Sequence, residues 1–169
     1  LGRTGAWFAY EHAGITPDVV TLAKALGNGV PVGAVLAGGE AARALGPGSH
    51  GTTFGGGPLA MAAARAVLTT LEADGRVAHA GAMGDYLQRR LWEELGDLDA
   101  VQGVRGQGLM VGVSLDREPQ GLPARALEHG LLVNVAGGNV IRLLPPLVIS
   151  EEEVDHVVTT LRYLLEEGV

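Results

Sequence analysis

The chain contains a single lysine, Lys24, among twelve cationic side chains, and the other eleven are arginine. Lys24 lies in the glycine-bounded stretch TLAKALGNGVPVG, residues 21–33. A guanidinium stays protonated and cannot form an imine, whereas a desolvated lysine amine can lose its proton and attack a carbonyl carbon. In a sequence that otherwise uses arginine, this position indicates a chemical need for an amine. The alternative is an ordinary surface lysine.

A second stretch with chemically useful residues is HGTTFGGGP, residues 50–58. Thr52 and Thr53 supply hydroxyl groups, and three successive glycines lead to Pro58, which suits the first turn of a helix. Glycines let the backbone approach a ligand closely, and the free amides at a helix N-terminus favour an anion. The pattern predicts a phosphate-binding loop. The alternative is a glycine-rich turn that binds nothing.

Short apolar segments are available to position these residues. The runs at residues 19–23 and 30–37 predict two buried strands, so that Lys24 lies in the loop between them, where reactive residues are common. The alanine-rich residues 58–71 predict a helix that begins directly after the glycines. Two or three strands are too few for a complete covered sheet, and we expect the rest of that sheet to lie upstream in the sequence.

The second half of the sequence alternates between helical and strand patterns. Apolar spacing predicts a helix over residues 77–95 and a final helix that Ser150 caps, with Glu153 reaching back to it. Between them lie two predicted strands, residues 109–115 and 140–144, with a helix at 124–129 and a short strand at 131–135. We therefore expect a mixed α/β protein with two domains, residues 1–75 and 76–169.

The overall composition narrows the class of protein. With 47% hydrophobic and 18% charged residues the chain is expected to fold, and a formal charge of -7 gives no basic surface for nucleic acid. No apolar run is long enough to cross a bilayer. The absence of cysteine excludes disulfides and thiolate metal sites, and the five histidines are spread singly, so no metal site is expected. These features fit a cytoplasmic protein without a signal peptide.

Four stretches, residues 1–5, 8–14, 17–33 and 50–60, resemble the class III pyridoxal-phosphate-dependent aminotransferases in order and spacing. The resemblance continues through VRGQGLMVGVSL and LVNVAGGNVIRLLPPL to the end of the chain. It implies the fold type I of these transferases, with residues 1–75 as the C-terminal part of the large cofactor-binding domain and residues 76–169 as the small C-terminal domain. The family's glycine-rich phosphate loop, ring-stacking aromatic residue and pyridine-binding aspartate would lie upstream, so we expect this stretch alone to be inactive.

The resemblance also implies a role for each candidate residue. Lys24 matches the Schiff-base lysine, which holds pyridoxal 5'-phosphate and then shuttles protons. Thr53 matches the threonine that binds the cofactor phosphate of the neighbouring subunit, Thr52 matches a position at the substrate site, and Arg142 matches the arginine that pairs with the substrate α-carboxylate. Active sites shared between subunits imply a homodimer. Gly57 departs from the family's usual asparagine, and we expect it to cap the following helix at little cost.

The choice of substrate stays open at this point. Within the family the quoted stretches are most similar to the acetylornithine branch, which implies transfer of the δ-amine of N-acetylornithine to 2-oxoglutarate in arginine biosynthesis. Ornithine, succinylornithine, 4-aminobutyrate and lysine-pathway amines are alternatives, because the residues that choose among them lie largely upstream. A non-catalytic phosphate-binding or interaction module is the alternative outside enzymes, and the lone lysine argues against it.

Overall fold

The computed structural model describes residues 1–168, which divide into two compact units. The first unit comprises Leu1 and Ala6–Arg76, and the second comprises Gly2–Gly5 together with residues from Val77 onward. Both units contain helices and strands, which confirms the predicted mixed α/β class. No helix within residues 1–168 has the length and apolar character needed to cross a membrane.

The first unit contains a two-stranded sheet and one long helix. Strand β1 (Val19–Leu22) pairs antiparallel with strand β2 (Ala34–Ala37). Helix α1 spans Pro58–Ala73 and confirms the predicted helix, which is two residues longer than expected. Gly57 occupies its N-cap in an extended conformation, as predicted. Helix α1 packs against the loop between the two strands.

The prediction that these two strands are buried is wrong for the described residues. The second strand leaves Val35 67% and Leu36 51% exposed. Each strand is four residues long. A two-stranded sheet buries its side chains only when another layer covers it. An apolar run shows that burial is favourable, but it does not show that the covering layer is part of the same stretch of chain.

The second unit is a four-stranded antiparallel sheet packed with three helices. The strand order is β3-β4-β6-β5. The elements are helix α2 (Arg76–Leu95), strands β3 (Val101–Gln107) and β4 (Met110–Leu115), helix α3 (Leu122–Glu128), strands β5 (Asn134–Ala136) and β6 (Val140–Leu143), and helix α4 (Glu151–Glu166). The inward side chains of β4 and β6 pack with the apolar stripes of α2 and α4 in one core. The predicted helices α2, α3 and α4 and the predicted strands β4 and β6 are therefore confirmed, with small shifts at their ends.

Two strands of this sheet differ from the sequence prediction. Strand β3 was not predicted, because Gly103 and Gly106 interrupt its apolar alternation and the ladder is irregular between Val101 and Gly103. Strand β5 begins three residues later than predicted, since Leu131 is buried in the core and its N–H donates to the carbonyl of Ala126 at the end of α3. Leu131 thus completes the core instead of extending the sheet.

The N-terminal residues 2–5 are held in the second unit by backbone contacts to the turn between β3 and β4. Leu109 donates its N–H to the carbonyl of Arg3 at 2.9 Å, and the Arg3 guanidinium donates to the carbonyls of Leu109 and Pro145. Partial burial lowers the pKa of Arg3 from its ordinary value. Arg3 therefore joins three separate segments through backbone acceptors.

Helix α4 begins with the predicted capping box and is tied to α2 by charged side chains. Glu153 accepts a 2.8 Å hydrogen bond from the N–H of Ser150, and the Ser150 hydroxyl accepts one from Glu153 N–H, which confirms the predicted cap. Asp155 accepts a 2.8 Å bond from Arg90 Nε, and the Tyr86 hydroxyl lies 3.0 Å from both of its oxygens. The bond from Arg90, followed by that from Tyr86, holds the pKa of the Asp155 carboxyl below its usual 3.8, against desolvation that raises it.

We expect Asp155→Asn in the full-length protein to lower the midpoint of thermal unfolding at neutral pH, and we expect that difference to disappear in acid. A carboxyl whose folded-state pKa is depressed stabilises the fold above its unfolded-state value, and this contribution is lost as the pH falls through the folded-state value. Melting curves between pH 7 and pH 3 test this, with the exposed α2 residue Asp85 changed to Asn as control. A difference that stays constant down to pH 3 would contradict an ionic origin.

Candidate active site

Lys24 lies in the loop between β1 and β2, where it begins a single 3-10 turn, Lys24–Leu26. Its backbone is left-handed, with a φ of 51°, and so is that of Asn28, with a φ of 44°. Residues other than glycine rarely adopt this conformation, which costs about 1 to 3 kcal/mol and is concentrated at functional sites. The first residue of the turn, Lys24, and Asn28, two residues after its end, therefore both have the left-handed conformation, which is less favourable for a lysine than for an asparagine.

Gly27 provides the close packing that holds this turn. A Cβ atom at Gly27 would lie 2.1 Å from the carbonyl oxygen of Val30 and 2.6 Å from Cγ1 of Val32, so only glycine fits. Its N–H donates to the carbonyl of Lys24 at 3.3 Å, and its own carbonyl accepts from Val30 N–H at 3.0 Å. Leu26, next to it, is buried. The main chain at Lys24 is thus fixed from the C-terminal side of the turn.

The side of this loop that carries Lys24 opens into a cavity of about 370 Å³. Lys24, Asn28, Pro31 and Val32 are among the residues that line it. Lys24 is exposed. Residues 1–168 therefore place the amine at the edge of an open space and do not supply the covering that would desolvate it.

The threonine loop before α1 is closed by a local hydrogen bond. Thr52 Oγ1 accepts the N–H of Gly55 at 3.1 Å, and a Cβ at Gly55 would lie 2.3 Å from Cγ2 of Thr52. Gly56 follows with a φ of 71°, so the two glycines allow a turn that other residues would strain. Thr53 is exposed and precedes Pro58, the first residue of α1, by five positions. The first backbone N–H groups of a helix lack helical acceptors. The loop thus carries exposed hydroxyl groups and leads directly into a helix N-terminus, which favours anions.

Arg142 lies on β6, between Gly112 of β4 and Asn134 of β5. Its Nε donates to Asn134 Oδ1 at 3.1 Å. Among residues 1–168 no carboxylate lies within 4 Å of its guanidinium. Arg142 also lines a cavity of about 450 Å³ in the second unit, whose other lining residues are mostly apolar. The exposed guanidinium is therefore available to an external carboxylate.

The structure brings some of the predicted residues into one unit and separates others. Lys24, Thr52 and Thr53 belong to the first unit, in which α1 contacts both the threonine loop, as its continuation, and the 3-10 turn of Lys24. Arg142 belongs to the second unit. In residues 1–168 no group of three histidine, aspartate or glutamate side chains is placed to hold a metal ion.

Two residues that the sequence analysis did not select lie near candidate residues. Asn28 shares the cavity and the left-handed conformation with Lys24, and its position between two glycines is a turn signal that pointed to it. Asn134 bonds to Arg142 across two strands. Nothing local marks Asn134, because its role depends on the register between β5 and β6.

The fold and these residues define the class of protein. The chain belongs to the class III aminotransferase family: the pattern of the family described as Aminotransferase class-III matches residues 1–165. Enzymes of this family depend on pyridoxal phosphate.

Individual relatives show which members of the family this chain resembles. The chain is 52% identical over 167 residues to acetylornithine aminotransferase 1 of Bordetella bronchiseptica, a match that covers 99% of this chain and 42% of the Bordetella protein. Its structure resembles the crystal structure of the acetylornithine aminotransferase of Elizabethkingia anophelis, with a TM-score of 0.90 and 35% identity over 98% of this chain and 43% of that one. The ornithine delta-aminotransferase of Plasmodium falciparum is as similar in structure, with a TM-score of 0.91 and 32% identity over 98% and 43%. The backbone therefore does not discriminate between the two substrates.

Proposed function

We propose that the protein containing this chain is a pyridoxal-phosphate-dependent aminotransferase of N-acetylornithine, with 2-oxoglutarate as the amino acceptor. The observation that carries the proposal is the single lysine, Lys24, held in a left-handed turn beside an open cavity. The relative named acetylornithine aminotransferase 1, at 52% identity, supports the choice of amine. The chain spans 42% of that relative, so the activity is proposed for the full-length protein.

The residues in this chain fit the chemical groups of the cofactor. Pyridoxal phosphate has an aldehyde, which needs an amine, and a phosphate, which needs hydrogen-bond donors. Lys24 supplies the amine, and the loop at Thr53 with the N-terminus of α1 supplies a hydroxyl and backbone N–H groups. When bound, the cofactor ring accepts the electron pair of the bond that breaks at the substrate carbon.

Lys24 would act twice. Its amine would hold the cofactor covalently, and Nζ, once free, would remove the proton from the amine-bearing carbon of the substrate and later return a proton. Both tasks require an unprotonated amine, which arginine cannot provide. Desolvation of Nζ must come from parts of the protein beyond residues 1–168, and for this reason we propose that the chain by itself is inactive.

Thr52 and Thr53 have different environments and would have different tasks. Thr52 Oγ1 already accepts a hydrogen bond from Gly55 N–H, which leaves its own O–H free to donate to a substrate oxygen. Thr53 is exposed in the loop that leads into α1 and would donate to the phosphate of the cofactor in a neighbouring subunit. This role requires a homodimer with two shared active sites.

Arg142 would bind the α-carboxylate of the amino donor or of the oxo acid. A planar guanidinium can donate two parallel N–H bonds to a carboxylate, a geometry that an ammonium group cannot provide.

We further propose that residues 1–75 belong to the large cofactor-binding domain and residues 76–169 to the small domain of such an enzyme. The full-length enzyme would be located in the cytoplasm.

Reduction of the full-length protein with borohydride, followed by peptide mass spectrometry, tests the proposed function. We expect the mass of reduced pyridoxyl phosphate on the peptide that contains Lys24, and protection of that lysine when the amino donor is added first. A panel of N-acetylornithine, ornithine, succinylornithine and 4-aminobutyrate, each with 2-oxoglutarate, then identifies the donor by glutamate formation. Phosphate binding without any cofactor on Lys24 would instead favour the non-catalytic module.

A further inference from the structure

The arginines of the second unit are bonded to different kinds of acceptor. Arg90 and Arg162 bind carboxylates of α2, α4 and the loop after α2, and Arg125 binds backbone carbonyls near the end of α4. Arg142 instead donates its Nε–H to a neutral side-chain amide, Asn134 Oδ1, at 3.1 Å. A carboxylate partner would satisfy and neutralise the guanidinium, whereas an amide oxygen satisfies one N–H and leaves the full positive charge.

The sheet supports Arg142 from one side. In the register across the strands, Arg142 is opposite Gly112 on β4 and opposite Asn134 on β5. Gly112 has no side chain, and a Cβ there would lie 2.9 Å from Cγ1 of Val140, so the sheet has no room for another side chain at that position. Among residues 1–168, the hydrogen bond that Arg142 Nε donates to Asn134 Oδ1 is therefore the interaction that restricts the exposed guanidinium.

We propose that Asn134 is a positioning residue for carboxylate binding by Arg142. By accepting the Nε–H, Asn134 uses the side edge of the guanidinium and leaves its Nη1–Nη2 end free to form two parallel bonds with a substrate carboxylate. The bond also removes rotamer freedom from a long exposed side chain before the substrate arrives, which lowers the entropic cost of binding. The inference rests on the proposed function of Arg142 and adds the residue that orients it.

The cavity beside Arg142 strengthens this arrangement. Its lining includes Leu132, Leu144 and Pro146, so apolar side chains border the same cavity as Arg142. Glu153 is the acidic residue of the lining, and its carboxylate is bonded to Ser150 in the cap of α4. An ion pair next to an apolar wall is weakened less by solvent than one on an open surface. The site therefore suits a carboxylate that is joined to an aliphatic chain.

The test compares Asn134→Ala with Arg142→Lys in the full-length holoenzyme. With Asn134→Ala we expect the KM for 2-oxoglutarate and for the amino donor to rise roughly three- to tenfold, the range of one hydrogen bond, with kcat within about twofold. Gln102→Ala is the matched control, because Gln102 is an exposed amide on β3, the other edge strand of the same sheet. It should leave both constants unchanged.

A double-mutant cycle separates the inference from the function on which it rests. If Asn134 acts through Arg142, Asn134→Ala will raise KM far less in the Arg142→Lys background than in the native protein. A rise in KM with Arg142→Lys but none with Asn134→Ala would overturn the role of Asn134 and leave the proposed function standing. A KM unaffected by Arg142→Lys would refute the carboxylate role of Arg142 and, with it, the inference. A parallel loss of kcat and thermal stability in Asn134→Ala would mean a structural role and would also overturn it.

Discussion

Lys24→Ala and Lys24→Arg in the full-length protein will each lower kcat by roughly 10⁴-fold and remove covalent attachment of the cofactor. Alanine lacks the amine, and arginine keeps a charge but remains protonated, so neither can bind the aldehyde or move a proton at the substrate carbon. The loss should fall mainly on kcat, because the groups proposed to bind phosphate and carboxylate, Thr53 and Arg142, are unchanged. Single-turnover rates with the amino donor measure this effect directly.

The control for the Lys24 variants is a lysine introduced at another position, because residues 1–169 contain no other lysine. Arg43→Lys introduces a second amine in an exposed 3-10 turn of the same unit, and we expect neither labelling by cofactor and borohydride at residue 43 nor a change in rate. Added methylamine should partly restore proton transfer in Lys24→Ala, since a small amine can replace the missing base, and it should not do so in Lys24→Arg. Unchanged turnover in Lys24→Ala would refute the role proposed for this residue.

Gly84→Ala will destabilise the second unit by about 2 kcal/mol or more, although alanine is the better helix former. Gly84 is buried in α2, and a Cβ there would lie 2.2 Å from the carbonyl carbon and 2.3 Å from the carbonyl oxygen of Gly108. Both are backbone atoms of the turn between β3 and β4, and Gly108 itself has a φ of 52°. Because no side chain can rotate away, the helix and the turn must move apart.

Gly81→Ala provides a matched control in the same helix. Its Cβ would lie 3.6 Å from the Cα of Gly5, an ordinary contact, so we expect this change to be neutral or to stabilise by up to about 1 kcal/mol through helix propensity. Urea denaturation of the two full-length variants, followed by circular dichroism, compares them. Equal effects of the two substitutions would show that the contact between Gly84 and Gly108 is not close enough to matter.

The sequence predicted the elements whose signals are local. Apolar residues at helical spacing located α2 and α4, and the Ser150 and Glu153 pair located the start of α4, because a helix and its cap are formed by residues a few positions apart. Strand β3 escaped prediction because Gly103 and Gly106 remove the alternation that marks a strand. The start of β5 was predicted three residues too early, because pairing with β6, and not the apolar run before β5, decides which residues join the sheet.

In the candidate active site, too, some features followed from the sequence and others only from the tertiary structure. The residue types alone indicated the chemistry, since one amine among eleven guanidinium groups and two hydroxyls before a glycine run are properties of the chain itself. The left-handed backbone at Lys24, the bond between Asn134 and Arg142, and the contact of Gly84 with Gly108 were decided by the tertiary structure. Each depends on which atoms packing and strand register bring within a few ångströms of one another, and local residue patterns do not encode that.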